Sequence, residues 1–258
     1  MGRAVIAIEG EDREGFLQGL VSNDVRRARD GLVHAALLTP QGKYLADFLL
    51  REAGGRLLLD VDAGLAAALM QRLSMYRLRS DVRLAVTALK VRRGTGPAPA
   101  GALADPRHPA LGWRLYGAEA GDDGTDWDAV RVEHVIPETG IELGPETYLL
   151  EAGFERLRGV DFRKGCYVGQ EVTARMKHKS RLRKGLARVL VDGEAPVGTS
   201  ILTADGREAG TLFTQAAGRG IAHLRHDRAG PGMTAGGARV APDPAWRVPL
   251  HEGDTSLA

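Results

Sequence analysis

From Gly185 onward the chain breaks into short apolar runs, Gly185–Val191, Ser200–Thr203, Glu208–Phe213 and Gly220–Leu224, divided by Asp192-Gly193, Asp205-Gly206 and Gly218. Alternating short runs and Asp-Gly pairs are the pattern of strands joined by tight turns, because glycine accepts the left-handed backbone that such turns require. Gly230 to Gly237 adds a later turn-rich stretch. The pattern predicts a small C-terminal β-barrel or sandwich over residues 184–258.

Residues 1–183 read differently, as α+β. Arg3 to Ile8 is a predicted strand, and Asp12 is the N-cap of a short helix with Phe16, Leu17 and Leu20 on one side. Ala35–Thr39 and Lys43–Arg51 flank Pro40-Gln41-Gly42 as a hairpin, Arg56–Val61 continues the β pattern, and Ala63–Leu73 is helical. Val82–Arg93 returns to strand. Gly94 to Pro109, rich in Gly, Pro and Ala without a period, reads as an exposed connection. Helices follow at about Asp126–His134 and from Gly169 to about His178.

Composition removes several classes of function. The 258 residues are 43% hydrophobic, enough for a sizeable core, and 35 Lys and Arg face 33 Asp and Glu, so the charge of +2 does not mark a general polyanion binder. No stretch approaches the roughly 18 apolar residues of a membrane span, and Met1 to Gly10 lacks a basic region followed by an apolar run. No membrane contact and a cytoplasmic location are therefore expected. One cysteine, Cys166, excludes an internal disulfide and a multi-cysteine zinc site. The histidines at 108, 134, 178, 223, 226 and 251 lack ligand spacing, so no stable metal site is expected from this chain alone.

The stretch Gly159 to Arg175 holds that cysteine. Gly165 and Gly169 bracket Cys166 and Tyr167, which suits a turn feeding a helix with Val172 and Met176 as its apolar stripe. A thiol near a helix N-terminus and near Lys164 is expected to have its pKa pulled below the free value of roughly 8.5. Tyr167 is placed to cover it, Gln170 and Glu171 fall in the first helical turn, and Arg175 is one turn beyond Glu171. Spacing alone leaves a second reading open, that of a packed, inert cysteine.

Lys164-Gly165-Cys166-Tyr167-Val168-Gly169-Gln170-Glu171, followed by Ala174-Arg175, resembles the Lys-Gly-Cys-Tyr-x-Gly-Gln-Glu signature of the YgfZ family, which is related in fold to the aminomethyltransferase (T-protein) of the glycine cleavage system. Phe16-Leu17-Gln18-Gly19, Asn23-Asp24-Val25, Gln41-Gly42-Lys43, Asp105-Pro106-Arg107 and Leu111-Gly112-Trp113-Arg114 agree in order, so the resemblance covers nearly the whole chain. Arg181-Leu182-Arg183-Lys184 is more similar to the mitochondrial iron–sulfur assembly branch than to the enterobacterial one. The resemblance implies α+β modules around a central opening for a reduced folate, with a C-terminal β-barrel. It also implies a role in iron–sulfur cluster assembly or repair in which Cys166 is a redox-active thiol or a transient cluster ligand shared with a partner. Lys164, Tyr167, Gln170, Glu171 and Arg175 surround it in the signature.

The implied partners are iron–sulfur assembly proteins and client enzymes, and the implied cofactor is tetrahydrofolate or a derivative. An assembly factor is expected rather than a turnover enzyme; the alternatives are a folate-dependent aminomethyltransferase-like enzyme and a protein associated with transfer-RNA modification. Trp127 resembles a folate-contacting tryptophan of the family, although it also shares a helical face with Val130 and suits a core. Asn23 and Asp24 fall where the family's first helix ends near the opening, and Arg3 stands where the family carries an aromatic residue. Arg163, Lys164, Arg175, Lys177, Lys179, Arg181, Arg183 and Lys184 form a basic run that suits a polyglutamate tail, RNA phosphates or an acidic partner, or simply a solvated face.

Overall fold

A computed structural model describes residues 2–179 and 182–246. The chain forms two compact units, Met1–Thr125 with Leu157–Glu171, and Asp126–Arg156 with Val172–Ala258. These units are drawn differently from a single cut between residues 183 and 184, because residues 126–156 group with the barrel.

In the first unit β1 (Arg3–Glu9) is followed by α1 (Arg13–Gln18), a 3₁₀ turn (Val25–Arg29), β2 (Val33–Leu38), β3 (Tyr44–Ala53), β4 (Arg56–Asp62), α2 (Ala66–Arg77) and β5 (Arg83–Val86). Among the described residues these strands make an antiparallel sheet in the order β2-β3-β4-β1-β5. Side chains alternate across a strand, so Ile6 and Ile8 of β1 enter one core with Leu17, Phe48, Leu59 and Leu73, while Val5 and Ala7 face another with Leu58 and Val91. Both faces are covered, which explains why β1 is apolar almost throughout. The cover on the second face includes β6 (Lys90–Gly94), which pairs in a small sheet with β7 (Leu103–Ala104), β8 (Trp113–Gly117) and β9 (Gly121–Asp122), in the order β7-β8-β6-β9.

Two sequence expectations change here. The single strand over Val82–Arg93 is divided into β5 and β6, because both the amide and the hydroxyl of Thr87 donate to the Val5 carbonyl, at 2.8 and 2.9 Å, and turn the chain. The connection over 94–109 is not wholly exposed: it contains β7 and buries Asp105. Asp105 accepts from Arg107 and Arg114, and Arg114 also reaches Asp60, which takes hydrogen bonds from Arg3 (2.7 Å) and Tyr116 (3.0 Å). Burial raises Asp105, but the charges of Arg107 and Arg114 outweigh it and hold its carboxyl well below the usual range.

Asp47 behaves in the same way: burial raises its pKa, and His34 and Tyr44 more than reverse it. A carboxylate with a depressed folded-state pKa contributes stability that is present above its unfolded pKa and lost as the pH falls below it. Thermal unfolding is therefore expected to change little between pH 7 and 5 and to move to lower temperature below about pH 4. A midpoint that stays constant down to pH 2 would contradict these ion pairs.

The second unit begins with α3 (Trp127–His134), capped by Asp126, which accepts the Ala129 amide at 3.0 Å. It receives most of α4 (Gln170–Lys179) and then β10 (Lys184–Asp192), β11 (Thr199–Leu202), β12 (Glu208–Ala216), β13 (Arg219–Arg225), β14 (Met233–Ala235) and β15 (Ala238–Pro242). These strands close a barrel in the order β10-β13-β12-β11-β14-β15, filled by Val189, Ile201, Leu212, Leu224, Met233 and Val240. Buried Arg131 of α3 ties that helix to the barrel through Glu142 and Thr214. The α+β architecture with a C-terminal barrel agrees with the sequence expectation.

Candidate functional site

Residues 157–169 are fastened to the end of α1, to β2 and to the β2–β3 hairpin. His34 on β2 places Nδ1 3.0 Å from the Leu157 carbonyl and Nε2 3.2 Å from Asp47. The Asn23 amide donates to the carbonyls of Arg158 and His34 at 2.7 and 2.8 Å. Fully buried Ser22 donates to Gly159 O at 2.6 Å and accepts the Ala36 amide at 2.8 Å, while Asp161 N donates to Ser22 O and the Asp161 carboxylate pairs with Arg27.

Lys164 is the centre of this fastening. Its ammonium donates to the carbonyls of Gln18 (2.7 Å), Val21 (2.5 Å) and Asn23 (3.0 Å), where α1 ends and the chain turns. Carbonyls at a helix end lack intrahelical partners and carry the negative end of the dipole, so a cation with three donors suits the place. Burial pulls the Lys164 pKa down to about 8, against the opposing charges of Asp24 and Asp161, which leaves it protonated at neutral pH. The Tyr167 ring, itself buried, lies 5.2 Å from the same nitrogen.

Gly169 fixes the other end. Its φ is +82°, and a Cβ there would lie 2.6 Å from Thr39 O and 3.1 Å from the Cα of Gly42 in the β2–β3 hairpin. The Gln41-Gly42-Lys43 segment and the cysteine signature, far apart in sequence, thus meet at two glycines.

Between these anchors Gly165 and Cys166 are exposed. The chain presents its thiol on a short tip whose two sides, Lys164 and Tyr167, are buried. Lys164, expected beside the thiol, directs its ammonium to three carbonyls, and α4 begins four residues beyond Cys166, at Gln170. Gln170 is half-buried and donates its amide to Tyr167 O at 3.2 Å, while Glu171 and Arg175 are exposed on α4.

The residues expected to meet folate fare unequally. Asn23 does not fit: its amide serves two carbonyls and its Oδ1 accepts the Asp24 amide at 2.8 Å. Arg3, which stands where the family carries an aromatic residue, is committed to Asp60. Asp24 caps the 3₁₀ turn and pairs with Arg26, whose hydrogen bonds hold the carboxyl down at about 2. Trp127 is half-buried at the start of α3, in the second unit. In the basic run, Lys164 is consumed by its carbonyls, Lys177 pairs with Glu155 and Lys184 with Glu151. Arg181 and the side chain of Lys179 lie outside the described residues. Among the described residues no group of three or more His, Cys, Asp or Glu is arranged to hold a metal ion, and no helix is long and apolar enough to cross a membrane.

Sequence reasoning passed over Ser22, His34 and Asp161. Ser22 adjoins the Asn23-Asp24 pair already singled out; His34 and Asp161 carry no local signal of their role, which is to hold a segment more than a hundred residues distant in the chain.

A family model described as the CAF17 C-terminal beta-barrel domain matches residues 183–249, which contain the described barrel strands. The mitochondrial iron–sulfur cluster assembly factor IBA57 of Homo sapiens is 30% identical, the match spanning 94% of this chain and 83% of the human protein. The chain belongs to the IBA57 family. The Mus musculus IBA57 is 31% identical, over 88% of this chain and 76% of the mouse protein. The chain spans only about half, 54%, of the IBA57 homologue of Mycosarcoma maydis, to which it is 34% identical. Among solved structures, the glycine cleavage system aminomethyltransferase T of Bartonella henselae superposes with a TM-score of 0.71 over 92% of this chain and 81% of that one, at 14% identity, which establishes the shared fold.

Membership in the IBA57 family agrees with the resemblance read at residues 164–171 and with the mitochondrial-type branch. It overturns the cytoplasmic expectation, because these IBA57 relatives are mitochondrial proteins. The lack of a long apolar run bears on membrane spans and not on compartment.

Proposed function

We propose that this IBA57-family chain serves iron–sulfur cluster assembly by lending Cys166 as one thiolate ligand to a cluster held jointly with a partner assembly protein. The observation that carries this is the exposed Gly165-Cys166 tip between buried anchors. A thiol on a mobile loop would lose much conformational freedom on ligation; one on a fastened tip loses little. Cys166 gives up its proton as sulfur takes a coordination position on iron vacated by an outgoing ligand, with no net oxidation. The cluster is cargo, and the remaining ligands come from the partner.

Cys166→Ser tests the thiol. At an exposed position the change in stability should stay within about 0.5 kcal/mol. The activity of iron–sulfur enzymes should be lost when the variant replaces the native protein. Full activity with an intact fold would remove Cys166 from the reaction.

Tetrahydrofolate as a ligand rests on the family resemblance read at Trp127, and no step is routed through it. Its binding should quench the fluorescence of Trp127, and Trp127→Phe should abolish that part of the quenching. Quenching unchanged in the variant would mean that folate does not contact this ring.

A further inference from the structure

Gly165 is a glycine that the fold does not require. Its φ lies outside the left-handed region, and a Cβ there would meet nothing within 4 Å among the described residues. Alanine would leave the folded chain undisturbed and would narrow the unfolded one, so for stability alone glycine is the poorer choice. Gly169 is the contrast, since its φ is +82° and the hairpin leaves no room for a methyl. Gly15 and Gly31 share the freedom of Gly165, so an unrequired glycine signifies nothing by itself. What singles out Gly165 is its place beside the exposed thiol of Cys166, on a tip whose flanking side chains turn away.

Lys164 reaches back to the carbonyls of Gln18, Val21 and Asn23, and Tyr167 is buried. The tip therefore offers one sulfur and bare main chain. Neither the Gly165 amide nor the Cys166 amide has a hydrogen-bond partner among the described residues. A single carbon separates Cα from sulfur in cysteine, so an iron bonded to Cys166 stands close over this main chain. Amides so placed can donate to the sulfurs of a cluster, and a missing side chain lets the edge of the cluster come near enough to accept.

We propose that Gly165 sets the clearance for the shared cluster: a thiolate-ligated cluster seats its sulfide edge on the bare main chain of Gly165 and Cys166 as the thiol binds iron. This rests on the ligand role of Cys166 and adds to it a residue that decides what can approach the sulfur. In the exchange Cys166 gives its proton to the outgoing thiolate, which leaves as a thiol, and the iron is neither oxidised nor reduced. A side chain at 165 would stand between the cluster and the tip while leaving the fold and the thiol in place.

The test titrates the glutathione-ligated [2Fe–2S] cluster anaerobically into the whole chain and follows the change in visible circular dichroism. Wild type is expected to bind, Gly165→Ala to bind more weakly, and Gly165→Leu to bind about tenfold more weakly or worse, because a clash grows with the size of the side chain. Melting temperatures of both variants should stay at the wild-type value, since position 165 is exposed. Gly165→Leu binding as tightly as wild type overturns the proposal, and so does a wild type that leaves the cluster signal unchanged. An equal loss in Gly165→Ala and Gly165→Leu also overturns it, because backbone freedom rather than clearance would then be what glycine supplies. Cys166→Ser, run alongside, keeps the two readings apart. If it loses the cluster while Gly165→Leu does not, the ligand role stands and the clearance falls; if it binds like wild type, the ligand role falls.

Discussion

Gly169→Ala is expected to destabilise the first unit by about 3–5 kcal/mol, a large part of the stability of an ordinary domain. Two terms add. A non-glycine residue at φ +82° carries a strain of about 1–2 kcal/mol. The new methyl would also lie 2.6 Å from Thr39 O, 3.0 Å from Leu38 Cβ and 3.1 Å from Gly42 Cα. Two of these neighbours are backbone atoms of a hairpin turn closed by Thr39 and Lys43, so they cannot move aside cheaply. Gly165→Ala supplies the contrast. Its Cβ would meet nothing within 4 Å and its φ is not in the left-handed region, so its stability should match wild type within about 0.5 kcal/mol. Urea unfolding of both variants decides the matter. Equal stability of the two would contradict the close approach of Gly169 to the hairpin.

Lys164→Met is expected to cost about 3 kcal/mol, because the carbonyls of Gln18, Val21 and Asn23 lose a charged donor in a buried place while the apolar stem is largely kept. Lys164→Arg should not restore it. A planar guanidinium directs its donors in a fixed fork, whereas these three carbonyls converge on one nitrogen. Hydrogen exchange should show the loss locally, as faster exchange across 164–169 in Lys164→Met with the barrel amides unchanged. Protection equal to wild type over 164–169 would mean that the ammonium does not hold the tip.

The barrel was legible because its signal is local: Asp192-Gly193 and Asp205-Gly206 mark turns wherever they occur. The strands β14 and β15 were hidden by their shortness within and after the turn-rich 230–237 stretch. The position of the candidate site was equally legible, since the signature runs through consecutive residues. The roles within it were not. Lys164 reads as a neighbour of Cys166 from spacing, but its ammonium is taken by a carbonyl 146 residues earlier in the chain. Asn23 reads as a group at an opening, and its side chain is committed to partners inside the first unit. Hydrogen bonds between distant segments leave no periodicity, so sequence pattern locates a residue without saying what its side chain is bonded to.

Anaerobic cluster reconstitution of this protein together with an iron–sulfur assembly partner tests the role of Cys166 most directly. Visible absorbance and iron content are read on the isolated complex, for wild type and for Cys166→Ser. With Cys166 as a ligand, the wild-type complex carries the cluster absorbance and iron, and Cys166→Ser abolishes or strongly shifts that absorbance while the two proteins fold normally. The same spectrum and iron content in the Cys166→Ser complex would contradict the assignment of this thiol to the cluster.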